Sequence, residues 1–159
     1  MPRRLSAGVL LYRRRAGAHE FLLVHPGGPF WQRKDDGAWS IPKGEFAEGE
    51  LPEAAARREF AEETGSAIAS VLEPLTPVRQ PGGKVIHAFA GEGDFDPATL
   101  RSNTFEIEWP PRSGTRRAFP EVDRAQWFDL ASAARKLTAG QRPILEELAR
   151  RLQSVSNGF

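Results

Sequence analysis

Short apolar runs alternate with polar breaks along the first part of the chain. Ser6 to Tyr12 (SAGVLLY) and Glu20 to His25 (EFLLVH) are two such runs, divided by the turn-like RRRAGAH. Their length and large apolar content predict two buried strands in a hairpin. From Pro26 to Ala38 the chain becomes Gly-, Pro- and charge-rich around Phe30 and Trp31. A loop of that length in a small domain is more often functional than a mere connector. A helix is then expected from about Pro52 to Gly65. Pro52 suits the first turn, Glu50 and Glu53 suit the positive end of the dipole, and Gly65 suits a left-handed cap. Lys84 to Ala90 and Thr104 to Trp109 read as strands, the second with Phe105, Ile107 and Trp109 alternating with Thr104, Glu106 and Glu108. Pro110 to Arg117 reads as irregular, and Gln126 to Phe128 as a last short strand. A helix follows from about Leu130 to Leu137. A final helix covers about 142–153, with Ile144, Leu145, Leu148 and Leu152 at helical spacing, leaving 154–159 as a frayed tail. Strands interleaved with helices imply one α/β or α+β domain over 1–159, with helices packed on a mixed sheet.

Composition narrows the partners. With 159 residues there is room for one domain and a full core, and 22 Lys+Arg against 21 Asp+Glu argues against a broad grip on nucleic acid or membrane. The absence of cysteine excludes disulfides, thiolate catalysis and Cys-ligated zinc. His19, His25 and His87 lie too far apart to form a ligand spacing. No apolar run is long enough to span a bilayer, and arginines follow the first apolar stretch too soon for a secretion signal. The expectation is a cytoplasmic monomer or homodimer with no membrane or nucleic-acid partner.

One segment departs from this even balance. RREFAEETG, Arg57 to Gly65, sets Glu59, Glu62 and Glu63 on one side of the expected helix, where neighbouring like charges repel. Ala55 falls on the same arc a turn earlier and would leave open space there, while Phe60 on the flank would anchor the helix to a core. Arg57 and Arg58 precede the cluster instead of alternating with it, and the segment before the helix is itself turned and acidic. A solvated helix face is the plain alternative. Converging oxygens with little compensation suit a hard divalent cation such as magnesium, shared between carboxylates and a substrate's phosphates.

GEFAEGELPEAAARREFAEETGS, Gly44 to Ser66, resembles the Nudix box. Gly44, Glu50, Arg58, Glu59, Phe60, Glu62, Glu63 and Gly65 fall in its register, with Ser66 departing where the pattern has an aliphatic residue. SAGVLLYRR, WSIPKGE and the stretch from Pro120 to Leu137 also resemble their counterparts in Nudix hydrolases. The resemblance implies a Nudix α/β/α sandwich, with a mixed sheet between helices. It further implies Mg²⁺- or Mn²⁺-dependent hydrolysis of a pyrophosphate bond in a nucleoside diphosphate linked to another moiety. Glu59, Glu62 and Glu63 would be the catalytic, metal-binding carboxylates, with the Gly44 carbonyl as a further ligand. Arg58 would brace the box, by pairing with Glu50.

Lys43, Trp39 and Arg79 are candidate substrate contacts, although Trp39 fits core packing equally well. Glu106, Glu108 and Glu121 are candidates for a base outside the box, or plain outward-facing glutamates. The WSIPKGE segment is similar to that of Nudix enzymes acting on dinucleoside and diphosphoinositol polyphosphates, which points to a small nucleotide or polyphosphate substrate. The alternatives are a nucleoside triphosphate pyrophosphohydrolase that cleans the nucleotide pool and a non-catalytic, nucleotide-sensing module.

Overall fold

The computed structural model describes residues 4–157. β1 (Leu5–Arg15) and β2 (Ala18–Pro26) form the expected hairpin, but both strands outrun their apolar centres. Arg13, Arg14 and Arg15 pair with Glu20, His19 and Ala18, so the ladder continues through the charged stretch. The turn shrinks to Ala16 and Gly17, both at positive φ (53° and 83°), the sign pattern of the type I′ turns whose twist matches a hairpin.

The chain continues through β3 (Lys43–Glu45), α1 (Pro52–Thr64), β4 (Glu73–Pro74), β5 (Val78–Arg79) and β6 (Val85–Glu92). It closes with β7 (Thr104–Glu108), β8 (Arg116–Pro120), β9 (Val122–Phe128), α2 (Leu130–Lys136) and α3 (Arg142–Asn157). β1 is central: it runs parallel to β6 on one side and antiparallel to β2 and β3 on the other. β9 flanks β2, while β4 and β5 flank β6.

Alternation along the central strands builds two cores. Ala7, Val9 and Leu11 of β1 and Leu22 and Val24 of β2 meet Ala55, Ala56 and Phe60 of α1. Leu10, Phe21 and Leu23 point the other way, toward Leu137, Ile144, Leu145 and Leu148. Burying each such Leu is worth about 1.5–3 kcal/mol, so neither sheet face is stable uncovered. The result is the expected α/β/α arrangement.

Four expectations need correction. Pro110 to Arg117 is not simply irregular, because it forms the end of a hairpin in which β7 and β8 pair from Thr104↔Pro120 to Glu108↔Arg116. The last strand begins at Val122 rather than Gln126, since pairing with β2 extends it. The final helix runs on to Asn157, with no Gly or Pro after Pro143 in its first turn; 158–159 lie outside the described residues. Trp39 is core: it is 1% exposed, packs edge-on against Phe128 at 5.0 Å, and donates its Nε1–H to Asp35 Oδ1 at 2.8 Å. A bridge to Leu137 ties the Trp39 backbone to the end of α2.

Candidate active site

α1 ends at Gly65, whose φ of 82° is the left-handed cap and whose N–H donates to the Ala61 carbonyl. Its buried stripe contains Ala55, Ala56, Glu59 and Phe60. Ala55 is therefore packed against the sheet and leaves no open space beside the carboxylates, contrary to the sequence expectation. Glu59 belongs to this stripe, at 7% exposure, while Glu62 and Glu63 lie half-buried at its margin.

β3 delivers the opposing surface. Its pairing with Ser6, Ala7 and Gly8 of β1 lays Lys43 and Gly44 along α1. The Glu59 carboxylate rests on the Gly44 backbone so closely that a Cβ at 44 would lie 1.9 Å from Oε2. Only glycine permits that approach. One turn further along the helix, Glu63 Oε1 accepts the Lys43 N–H at 3.2 Å.

Arg58 ties the preceding loop to this cluster. Its Nε and Nη2 donate to the two oxygens of Glu50 at 3.0 and 3.1 Å, and its Nη1 donates to Glu59 at 2.9 Å and Glu62 at 3.2 Å. The carboxylates are thus compensated more than their order along the chain suggests, because one long side chain folds back among them. Arg58→Ala should cost about 1–3 kcal/mol, measured by urea denaturation, since it strips a charged donor from three acceptors. Arg58→Lys should recover only part, lacking the bidentate fork.

The local electrostatics follow from burial. Glu63 is pushed up to about 8, first by desolvation and then by Glu121 and Glu59, against the pull of the Lys43 amide and ammonium. Glu59 is also raised, by burial and by Glu62, with Arg58 opposing. Burial lowers Lys43, and Lys84 adds to the effect.

Glu121 arrives from far away in sequence. Arg101 and Asn103 N–H groups donate to the Thr64 and Glu62 carbonyls at 2.9 Å, so this segment crosses the end of α1. The Glu121 N–H in turn donates to the Asn103 carbonyl at 2.8 Å. That chain of bonds brings Glu121 within electrostatic reach of Glu59 and Glu63. By sequence Glu121 stands level with Glu106 and Glu108. The structure separates them: Glu106 pairs with Arg116 at 3.4 Å, and Glu108 accepts the Arg112 N–H, both on the β7–β8 hairpin.

On the other side of β3 a cavity of about 370 Å³ is lined by Arg4, Lys43, Lys84, Gln80 and Gln141, among others. Lys43 therefore joins this basic cavity to the carboxylates, while exposed Arg79 sits one residue from Gln80 and outside the wall. A larger cavity, about 570 Å³, lies between Tyr12, His19 and Leu148 and contains none of the residues of the cluster.

Among the described residues no group of three or more acidic or histidine side chains forms a finished metal cage. The donor set nevertheless fits a hard cation. It is all oxygen, two of its carboxylates are raised by burial and mutual repulsion, and a backbone glycine lies against one of them.

A model of the NUDIX domain matches residues 2–148. Among solved structures, the chain is similar to a C. elegans Ap4A hydrolase in a binary complex, at 22% identity and a TM-score of 0.66 over 95% of this chain and 98% of that one. It is also similar to the NUDIX domain of Shewanella oneidensis NrtR complexed with ADP-ribose, at 20% identity and a TM-score of 0.67 over 96% and 90%. Among curated proteins, an octanoyltransferase from Myxococcus xanthus is 32% identical over 101 residues, which is 64% of this chain. The match spans 25% of that protein's length. Among the described residues no helix is long and apolar enough to cross a membrane.

Proposed function

Because the chain belongs to the Nudix family, we propose that it is a divalent-metal-dependent pyrophosphohydrolase whose substrate is a dinucleoside polyphosphate. The observation that carries this reading is the position of Lys43. Its amide holds Glu63 while its side chain lines a cavity shared with Arg4 and Lys84. Three basic side chains around one cavity, of which Arg4 and Lys84 share the exposed Glu45 as an ion-pair partner at 3.2 and 3.8 Å, suit a long phosphate chain better than a single phosphate. The WSIPKGE segment and the likeness to a chain described as an Ap4A hydrolase favour the same substrate class.

Glu59, Glu62 and Glu63, with the Gly44 carbonyl, would hold Mg²⁺ or Mn²⁺. When bound, the ion masks phosphate charge and lowers the pKa of an attacking water. The protein's own part is positional. Lys43, Arg4 and Lys84 fix the phosphates. Arg58 keeps Glu59 and Glu62 in place through Glu50. A carboxylate of the cluster accepts the proton of the attacking water.

A panel of dinucleoside polyphosphates, nucleoside triphosphates, nucleotide sugars and diphosphoinositol phosphates tests the proposal. We expect Mg²⁺-dependent product release, fastest from the dinucleoside polyphosphates, with ¹⁸O from labelled water in one product phosphate. Fastest release from nucleoside triphosphates would move the reading to nucleotide-pool cleaning. Binding without release from any member would make the chain a sensor.

A further inference from the structure

Phe30 and Trp31 are the two aromatic side chains among the exposed large hydrophobic residues, at 63% and 39% exposure. Both stand in the loop between β2 and β3, and that loop is built onto the β7–β8 hairpin. Phe30 meets Trp109 edge-on at 5.5 Å. Phe105 packs so near Gly28 that a Cβ there would lie 2.9 Å from the end of its ring. The Gly27 N–H donates to the Glu121 carbonyl at 2.9 Å.

The hairpin carries its chemistry on one face. Phe105 pairs with Phe119 and Ile107 with Arg117, so rings and a cation alternate there. The Arg117 guanidinium lies 5.4 Å from the Phe119 ring centre, and the Lys34 ammonium 4.9 Å from that of Trp31. Among the described residues neither cation forms an ion pair, whereas Glu106 on the opposite face is taken by Arg116. Cations over aromatic faces, without acidic partners, are what a stacked base and its phosphates would engage.

Position supplies the rest. The hairpin pairs with no strand of the main sheet, and its half-buried rings Phe105 and Trp109 pack instead on the 27–38 loop, which leaves Phe30 and Trp31 exposed. Its root is fastened to the catalytic helix through Asn103 and the Glu62 carbonyl. At about 3.3 Å per residue, Phe105 and Phe119 stand about 7 Å from Asn103 and Glu121, and the tip stands some 20 Å away.

We propose that the β7–β8 hairpin and the 27–38 loop form a second nucleobase site, which holds the distal base of a dinucleoside polyphosphate. The base stacks on Phe30 and Trp31, and Lys34 and Arg117 meet the phosphates beside it. The location of the substrate's other end rests on the hydrolase reading above.

Steady-state kinetics with Ap4A and with ATP, which has no second base, separate the two ideas. Trp31→Ala and Arg117→Ala should each raise KM for Ap4A about tenfold with kcat unchanged, leave both constants for ATP unchanged, and be rescued at position 31 by Phe. Calorimetry in EDTA, where no turnover occurs, should show the same selective loss of Ap4A affinity. Equal effects on both nucleotides, or none on either, would overturn the second site while leaving the hydrolase reading intact. If neither nucleotide is hydrolysed but the selective loss of binding persists, the hydrolase reading fails and the second site stands. If wild type binds Ap4A no better than ATP, the second site is refuted.

Discussion

Glu63→Gln is expected to lower turnover by about 10²–10⁴-fold while the protein stays folded. The side chain keeps its shape, and its amide oxygen can still accept the Lys43 N–H, so the clamp between β3 and α1 survives. What disappears is a carboxylate that can neutralise a cation or take a proton. Glu62→Gln, which also loosens Arg58, should show a loss of the same order. Initial rates on the best substrate of the panel, beside a thermal melt, make the measurement. Turnover at the wild-type level in both variants would remove the cluster from the chemistry.

The second large effect is a fall in the stability of the metal-free protein as pH rises from about 5 to 8. Below its ordinary value of 4.5, Glu63 is protonated in both folded and unfolded chains, and pH has no leverage through it. Between 4.5 and about 8 the unfolded chain releases this proton while the folded chain keeps it, so rising pH favours unfolding. Above about 8 both forms are ionised and the effect levels off. Glu59 is raised too and acts in the same direction. Lys43, lowered by burial, works oppositely, with its window toward alkaline pH. In EDTA the Tm should drop by about 5–10 °C across the window. Glu63→Gln should flatten that slope. Millimolar Mg²⁺ should restore the Tm at pH 8, because a cation replaces the protons that hold the carboxylates together. A flat Tm profile in EDTA would contradict the desolvation of the Glu63 carboxylate.

Much of the architecture was legible in local pattern. The apolar runs at Ser6–Tyr12 and Glu20–His25 marked the two strands, and Pro52 and Gly65 bounded α1, because cap and turn preferences act over a few residues. The errors share a cause. The extension of β1 and β2 through arginines, the early start of β9 and the existence of β8 all come from backbone pairing with a distant partner. Pairing of that kind leaves no local trace in side-chain hydrophobicity. Trp39 was ambiguous because a large aromatic beside a glycine-rich segment suits either a core or a binding site, and only its contacts decide.

The carboxylate spacing of Glu59, Glu62 and Glu63, and their family pattern with Gly44 and Arg58, were determined by the sequence alone, since helical periodicity places three glutamates on one side whatever surrounds them. The tertiary structure decided their environment. It buried Glu59 against Gly44, gave Glu63 the Lys43 amide, wrapped Arg58 among the acids and carried Glu121 to them through Asn103. The physical reason is range. Periodicity is a property of neighbouring residues, whereas desolvation and charge coupling depend on which remote segments the sheet brings within a few ångströms.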